Sequence, residues 1–181
     1  LQSLTDIITI SETWNNHKPQ TTNLPGRQAG HKPKVVLTWA PHVKPLPQCV
    51  ANSFAQWMNS WEKSDFVITH PQNYELDEQF TNGAKIIYNQ DEALQNADFV
   101  YVKNWSSYRE YGKILCEDQN WMLTLEKLLQ TNNAKVMHCL PVRRNIELSD
   151  EVLDSKSSIV TQQASNRVWA AQAVLSEILN G

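Results

Sequence analysis

Lys34-Val35-Val36-Leu37-Thr38-Trp39, followed at once by Ala40-Pro41-His42-Val43-Lys44-Pro45-Leu46-Pro47, decides the fold. The first six residues form a short run, rich in β-branched and apolar residues, with no polar face. Such a run reads as a strand buried on both sides, the usual state of strands in a parallel sheet. Four more runs of this type recur along the chain: Phe66-Val67-Ile68-Thr69, Lys85-Ile86-Ile87-Tyr88, Phe99-Val100-Tyr101-Val102 and Val136-Met137-His138-Cys139. Helical spacing fills the intervals. Val50, Phe54, Trp57 and Met58 mark a helix over Cys49–Trp61, and Asp91 is placed to cap another that begins Asp91-Glu92-Ala93-Leu94. A closing helix over Gln163–Leu179 sets Val168, Ala171, Leu175 and Ile178 on one side. The aromatic and methionine positions on these helices read as core. Strands alternating with helices predict an α/β fold, a doubly wound, mainly parallel β-sheet flanked by helices in the Rossmann-like manner.

Composition narrows the classes of function. The chain has 181 residues, 41% hydrophobic and 19% charged, with a formal net charge of −3. No basic footprint favours nucleic acid, and no apolar run reaches the ~20 residues that a membrane-spanning helix needs. The three cysteines, Cys49, Cys116 and Cys139, are odd in number and widely spaced. They fit a reducing cytoplasm better than a disulfide framework or a zinc site. The five glycines, at 26, 30, 83, 112 and 181, form neither GxGxxG nor GxxxxGK[ST], which disfavours a nucleotide loop.

Doubly wound sheets bind ligands at the carboxyl ends of their strands, where the strand order reverses. The residues following the predicted strands are therefore the candidates. Three prolines surround His42 and stiffen its loop. Lys103-Asn104-Trp105-Ser106-Ser107-Tyr108 follows the fourth strand, and Cys139-Leu140-Pro141-Val142-Arg143-Arg144-Asn145 closes the fifth. Ser165-Asn166-Arg167 stands at the head of the last helix. One His, one Lys, one Cys and two or three Arg converge in this reading. Guanidinium groups grip carboxylates and phosphates bidentately, so the set points to an anionic ligand. With no carboxylate pair and no Ser-His-Asp arrangement, positioning and charge stabilisation fit better than covalent catalysis.

His138-Cys139-Leu140-Pro141-Val142-Arg143-Arg144-Asn145 resembles the HCLPxRRN signature of the N-acetyl- and N-succinylornithine transcarbamylases, within the aspartate/ornithine transcarbamylase family. Leu1-Gln2-Ser3-Leu4-Thr5-Asp6 resembles the end of the family's HPxQxLAD motif. Leu37–Pro47 and Tyr101-Val102-Lys103-Asn104-Trp105 are similar to the same subfamily, its succinylornithine members above all. The resemblance implies transfer of a carbamoyl group from carbamoyl phosphate to the δ-amine of N-succinylornithine or N-acetylornithine, giving N-acylcitrulline and phosphate. By that resemblance Gln2, Cys139, Leu140 and Arg167 would hold carbamoyl phosphate, with Cys139 and Arg167 taking part in catalysis. His42, Lys103 and Arg143 would bind the acylornithine. A cis Leu140-Pro141 bond, no metal and no organic cofactor, a homotrimer and a place in arginine biosynthesis are also implied.

Departures from the family pattern matter. The Ser-Met-Gly motif that grips unacylated ornithine is replaced by Trp105-Ser106-Ser107-Tyr108, and Glu-Asn-Arg becomes Ser165-Asn166-Arg167. Glu147 stands where the acetylornithine type carries lysine, and the Asn15–Gly30 loop is longer than its counterparts. The chain starts without Met in an amphipathic pattern, with apolar residues at 1, 4, 7, 8 and 10. The expectation is that residues 1–14 end an interdomain helix and 15–181 form the ornithine-binding-type domain. The carbamoyl-phosphate-binding domain, with its Ser-x-Arg-Thr motif, would lie upstream, leaving this fragment inactive alone. Two other readings stay open: a non-catalytic amino-acid-binding module, and a transcarbamylase with a different amine acceptor.

Overall fold

The structure, a computed structural model, describes residues 1–16 and 32–181. The loop expected over Asn15–Gly30 lies outside the described residues, apart from Asn15 and Asn16, which close the first helix, α1 (Gln2–Asn16). Five strands follow: β1 (Lys34–Trp39), β2 (Asp65–Thr69), β3 (Lys85–Ile87), β4 (Phe99–Lys103) and β5 (Lys135–Met137). The helices after α1 are α2 (Cys49–Ser60), α3 (Glu78–Thr81), α4 (Gln90–Leu94), α5 (Leu125–Leu128), α6 (Asp150–Leu153) and α7 (Val160–Asn180).

All described strand pairings are parallel, in the order β3-β2-β1-β4-β5. The order reverses between β1 and β4, which sets the crevice of a doubly wound sheet at their carboxyl ends. There Trp39 stands opposite Lys103, so the two chains leave the sheet side by side. Strand residues alternate between two cores. Val35, Leu37, Trp39, Phe99, Tyr101 and Met137 pack with Phe54 and Ile10 on one face. Val36, Val67, Val100, Val102 and Val136 pack with Leu94, Leu128 and Val152 on the other. The runs of β1 and β4 are buried because each face has its own helical cover. The edge strand β3, expected to be buried on both faces, instead leaves Lys85 and Ile86 exposed, and Tyr88 beyond it is exposed too.

Helix ends depart from the sequence reading in ways that have local causes. Asn89, not Asp91, caps α4: its backbone is extended and its side chain accepts from the Glu92 N–H at 3.0 Å. Asp91 falls in the first turn, where a carboxylate still complements the helix dipole. The last helix begins at Val160, three residues before the expected Gln163.

Helix faces differ more. The buried side of α1 is Ser3, Thr5, Asp6, Thr9, Ile10 and Thr13, and that of α7 is Val160, Gln163, Asn166 and Ala170. Val168, Leu175 and Ile178, the expected apolar side of α7, are exposed, as is Trp169 at 62%. Trp57 of α2 is also exposed rather than core, while Phe54 and Met58 are buried as expected. The two terminal helices meet through polar groups. Asn166 donates to Thr9 Oγ1 at 3.0 Å and to Glu12 at 2.8 Å, while Gln163 donates to Asp6 at 2.7 Å. Hydrogen bonds made inside the seam satisfy groups that burial would otherwise leave unpaired, and the apolar residues turn outward. Among the described residues no helix is long and apolar enough to cross a membrane.

Phe54 and Trp169 separate these two environments. Phe54 stacks on Tyr101 with ring centroids 4.4 Å apart. Phe54→Ala should cost about 3–5 kcal/mol in urea unfolding of this chain, and Trp169→Ala no more than about 0.5 kcal/mol. A loss at Trp169 as large as that at Phe54 would show that α7 packs by its apolar side.

Candidate active site

The carboxyl ends of β1, β4 and β5, the first turn of α1 and the amino-terminal part of α7 as far as Arg167 meet at one rim of the sheet. The loop after β1 is laced to the segment after β4. Ala40 N–H donates to the Lys103 carbonyl at 3.1 Å, Asn104 Nδ2 to the Ala40 carbonyl at 2.7 Å, and Ser106 N–H to the Leu46 carbonyl at 2.8 Å. The Trp39 indole closes the same junction on the Trp105 carbonyl at 2.9 Å. These bonds hold the proline-rich loop carrying His42 in place.

Two groups of predicted residues are joined directly. In the first, Arg167 Nε donates to Gln2 Oε1 at 3.0 Å and its Nη2 donates to the Cys139 carbonyl. In the second, Arg143 Nε donates to His42 Nε2 at 3.2 Å. Arg143 can only donate, so this bond requires an unprotonated Nε2; on the other side of the ring Nδ1 faces both the Lys44 carbonyl at 2.8 Å and the Lys44 N–H at 3.0 Å. His42 borders a cleft of about 400 Å³ lined also by Pro41, Val43, Ile114, Cys116 and Ile146.

Lys103, the last residue of β4, lies near Cys139 and Glu147. Its side chain continues the face of Tyr101, is only 7% exposed, and acts electrostatically on both the Cys139 thiol and the Glu147 carboxylate. No hydrogen-bond partner meets its ammonium among the described residues. A nearly buried cation without a partner is a standing attraction for an anion. Burial pushes the Cys139 thiol above its ordinary range, against the pull of Lys103. Cys139 is thus a neutral thiol, a weak donor rather than a ready nucleophile.

Leu140 lies in a sharp turn with φ of 48°, and the Leu140-Pro141 bond is cis. The turn is held by His138 and Glu147, both buried. Leu140 N–H donates to His138 Nδ1 at 3.0 Å, which leaves the proton on Nε2 to face Glu147 Oε1 at 3.2 Å. Glu147 Oε2 accepts from the Arg143 N–H at 2.9 Å. Burial alone would raise the Glu147 pKa, yet the His138 contact and the Arg143 N–H bring it below the usual carboxylate value. Arg144 belongs elsewhere: it is exposed and pairs with Asp150 and Asp154 at 2.7 Å each. Among the described residues no cluster of His, Cys, Asp or Glu could hold a metal ion.

Asp6 and Gln163 were not among the residues singled out from sequence. Asp6 is fully buried, and its Oδ1 accepts from Gln2 Nε2 at 2.6 Å and from Gln163 Nε2 at 2.7 Å. Gln163 Oε1 in turn accepts from the His138 N–H at 2.9 Å. Burial pushes the Asp6 carboxyl up to about 6 from 3.8, against the amide bonds and the charge of Arg167. The signal available in sequence was the run of polar residues at 2, 6, 9 and 13, which share one side of a helix.

The family model for "Aspartate/ornithine carbamoyltransferase, Asp/Orn binding domain" matches residues 48–178. An N-succinylornithine carbamoyltransferase of Bacteroides thetaiotaomicron is 48% identical over 183 residues, covering 100% of this chain and 53% of its own. An N-acetylornithine carbamoyltransferase of Xylella fastidiosa is 29% identical, covering 98% and 54% respectively. Among solved structures, a substituted N-acetyl-L-ornithine transcarbamylase complexed with carbamyl phosphate and N-succinyl-L-norvaline matches at a TM-score of 0.81 and 29% identity. It covers 97% of this chain and 55% of that one. The chain spans about half the length of the curated relatives it matches.

The raised carboxyl of Asp6 links stability to pH. The folded protein holds that proton more tightly than the unfolded chain, so stability falls as pH rises from about 4 to about 6. Above that range folding carries the full cost of a buried carboxylate, at most about 3 kcal/mol. Asp6→Asn should therefore stabilise the chain by about 1–3 kcal/mol at pH 8 and by almost nothing at pH 4. Urea unfolding at both pH values checks the sign, which an equal effect at both would contradict.

Proposed function

The chain belongs to the aspartate/ornithine carbamoyltransferase family, and from that premise we propose that it supplies the acceptor-binding half of an enzyme that carbamoylates N-succinylornithine. The neutral δ-amine attacks the carbamoyl carbon of carbamoyl phosphate, a tetrahedral oxyanion forms, and the C–O bond to phosphate breaks. Phosphate departs with the electron pair of the broken C–O bond and takes up the proton lost by the attacking nitrogen, and the product is N-succinylcitrulline.

What supports this reading is that the Arg143–His42 pair and the Arg167–Gln2–Cys139 group both attach to the turn after β5, with Lys103 acting on Cys139 and Glu147 there. Gln2, Arg167 and the Cys139–Leu140 turn form the side toward carbamoyl phosphate. Arg167 offers charge to the departing phosphate, and Gln2 and the Cys139 thiol offer polar contacts to the carbamoyl group. His42, Lys103 and Arg143 form the side toward the amino acid. N-succinylornithine carries two carboxylates, and Lys103 and Arg143 supply two cations that have no ion pair among the described residues. This charge match, with the 48% identity to a succinylornithine enzyme, favours succinyl over acetyl as the acyl group.

A chain about half the length of these relatives does not bring every contact. The remaining phosphate ligands come, in this proposal, from a carbamoyl-phosphate-binding domain preceding residue 1, and the 181 residues alone are inactive. The exposed apolar side of α7 gives that domain a surface to pack on. The full enzyme works as a cytoplasmic homotrimer in arginine biosynthesis, with no metal or organic cofactor, on this same reading.

Assaying the full-length protein with carbamoyl phosphate and each of three amines tests the acceptor. Succinylornithine should be carbamoylated most efficiently, acetylornithine less so and free ornithine scarcely. Comparable turnover of free ornithine overturns the proposal. Arg143→Ala should weaken acceptor binding by about 2–5 kcal/mol, roughly 30- to 5,000-fold. Unchanged acceptor affinity in that variant removes Arg143 from the site.

A further inference from the structure

Asp6 is an expensive group for holding two helices together. It is fully buried, and its Oδ2 has no hydrogen-bond partner among the described residues. The Tyr101 hydroxyl lies close enough to couple to it electrostatically without meeting hydrogen-bond geometry. A neutral residue of similar size would join α1 to α7 at lower cost. What a carboxylate oxygen does here, and an apolar side chain cannot, is fix the orientation of two amides.

A glutamine side chain presents an NH2 and a carbonyl oxygen that exchange places on a half-turn. At Asp6 both ambiguities are removed by one atom. Oδ1 accepts the Gln2 NH2 at 2.6 Å and the Gln163 NH2 at 2.7 Å, and accepts only. Each carbonyl oxygen is therefore turned away from Asp6. Gln2 Oε1 meets Arg167 Nε at 3.0 Å, and Gln163 Oε1 meets the His138 N–H at 2.9 Å. Arg167 and the His138–Pro141 turn are joined again by the bond from Arg167 to the Cys139 carbonyl. Flipping either amide would set a donor against a donor.

We propose that Asp6 is a positioning residue, whose Oδ1 sets the orientation of the Gln2 and Gln163 amides and through them the placement of Arg167 and of the Cys139–Leu140 turn. It touches neither substrate and acts by holding the groups that would. The ionisable groups around it are Tyr101 on β4, Cys139 after β5 and Arg167 on α7. From α2, Ser53 approaches α1 with a hydroxyl, 2.7 Å from Ser3. That substrate is carbamoyl phosphate only if the proposed function holds; the amide geometry does not depend on it.

The test compares Asp6→Leu with Asp6→Asn in the full-length protein. Asn keeps an acceptor oxygen and Leu does not. Asp6→Leu should raise the KM for carbamoyl phosphate roughly 10- to 100-fold, the effect of a misplaced positioning group, while the KM for the acylornithine moves little. Asp6→Asn should restore carbamoyl phosphate KM to within about threefold of the parent, a split that a purely structural role would not produce. Loss in both variants alike, or in neither, overturns the proposal. A second measurement needs neither activity nor a folded Leu variant. In 15N spectra of the 181-residue chain, the side-chain amides of Gln2 and Gln163 should be shifted and protected from solvent exchange. They should move together as Asp6 titrates. Two amides at free-glutamine positions overturn the assignment even if the enzyme carbamoylates succinylornithine, and fixed amides stand even if it does not.

Discussion

One buried oxygen, Oδ1 of Asp6, accepts from amides on both terminal helices, and the rim of the sheet depends on that junction. Helices α1 and α7 are 157 residues apart at the Asp6–Gln163 contact, and their seam is joined by hydrogen bonds between buried polar groups. A polar seam is more selective than an apolar one. Apolar side chains slide past each other at small cost, whereas a misaligned buried amide loses its partner and incurs a desolvation penalty of about 1–3 kcal/mol. The register of α1 on α7 is thereby fixed, and with it the positions of Gln2 and Arg167.

Beneath that junction the sheet does the coarse positioning. Reversal of strand order between β1 and β4 opens a crevice where Trp39 stands opposite Lys103, and β5 brings Cys139 up beside them. Alternation along β4 puts Tyr101 and Lys103 on the face that carries α1 and α7. Side chains from the interval between β1 and β5, more than a hundred residues, become neighbours because parallel strands all end at the same rim. The loop after β1 is then tied to the segment after β4 by backbone and indole hydrogen bonds, so His42 is held against Arg143 by structure remote from both.

Two buried carboxylates serve this cationic rim from different sides. Asp6 has an elevated proton affinity because burial outweighs its amide bonds, whereas Glu147 is held ionised by His138 and the Arg143 N–H. The contrast follows from what each oxygen meets. Both oxygens of Glu147 are engaged, and among the described residues one oxygen of Asp6 is not. Lys103 acts on Glu147 from within the protein while its ammonium meets no hydrogen-bond partner among the described residues. Arg144 shows the opposite outcome for an adjacent arginine: Asp150 and Asp154 draw it to the surface, so one of two neighbouring guanidinium groups faces the rim.

The sequence by itself determined the strands, because a run such as Val35-Val36-Leu37 is apolar on both faces and only a doubly covered sheet gives both faces a core. It determined that residues at strand ends would be candidates, and its HCLPxRRN-like motif pointed to the family that the match over 48–178 then showed. Tertiary structure alone decided which way the terminal helices face. Hydrophobic periodicity assigns the apolar side inward, and in α1 and α7 the inward side includes Asp6, Thr9, Gln163 and Asn166 beside Ile10, Val160 and Ala170. A polar residue becomes a good core residue only when its partner arrives from another element, and no local pattern announces a partner that lies 157 residues away.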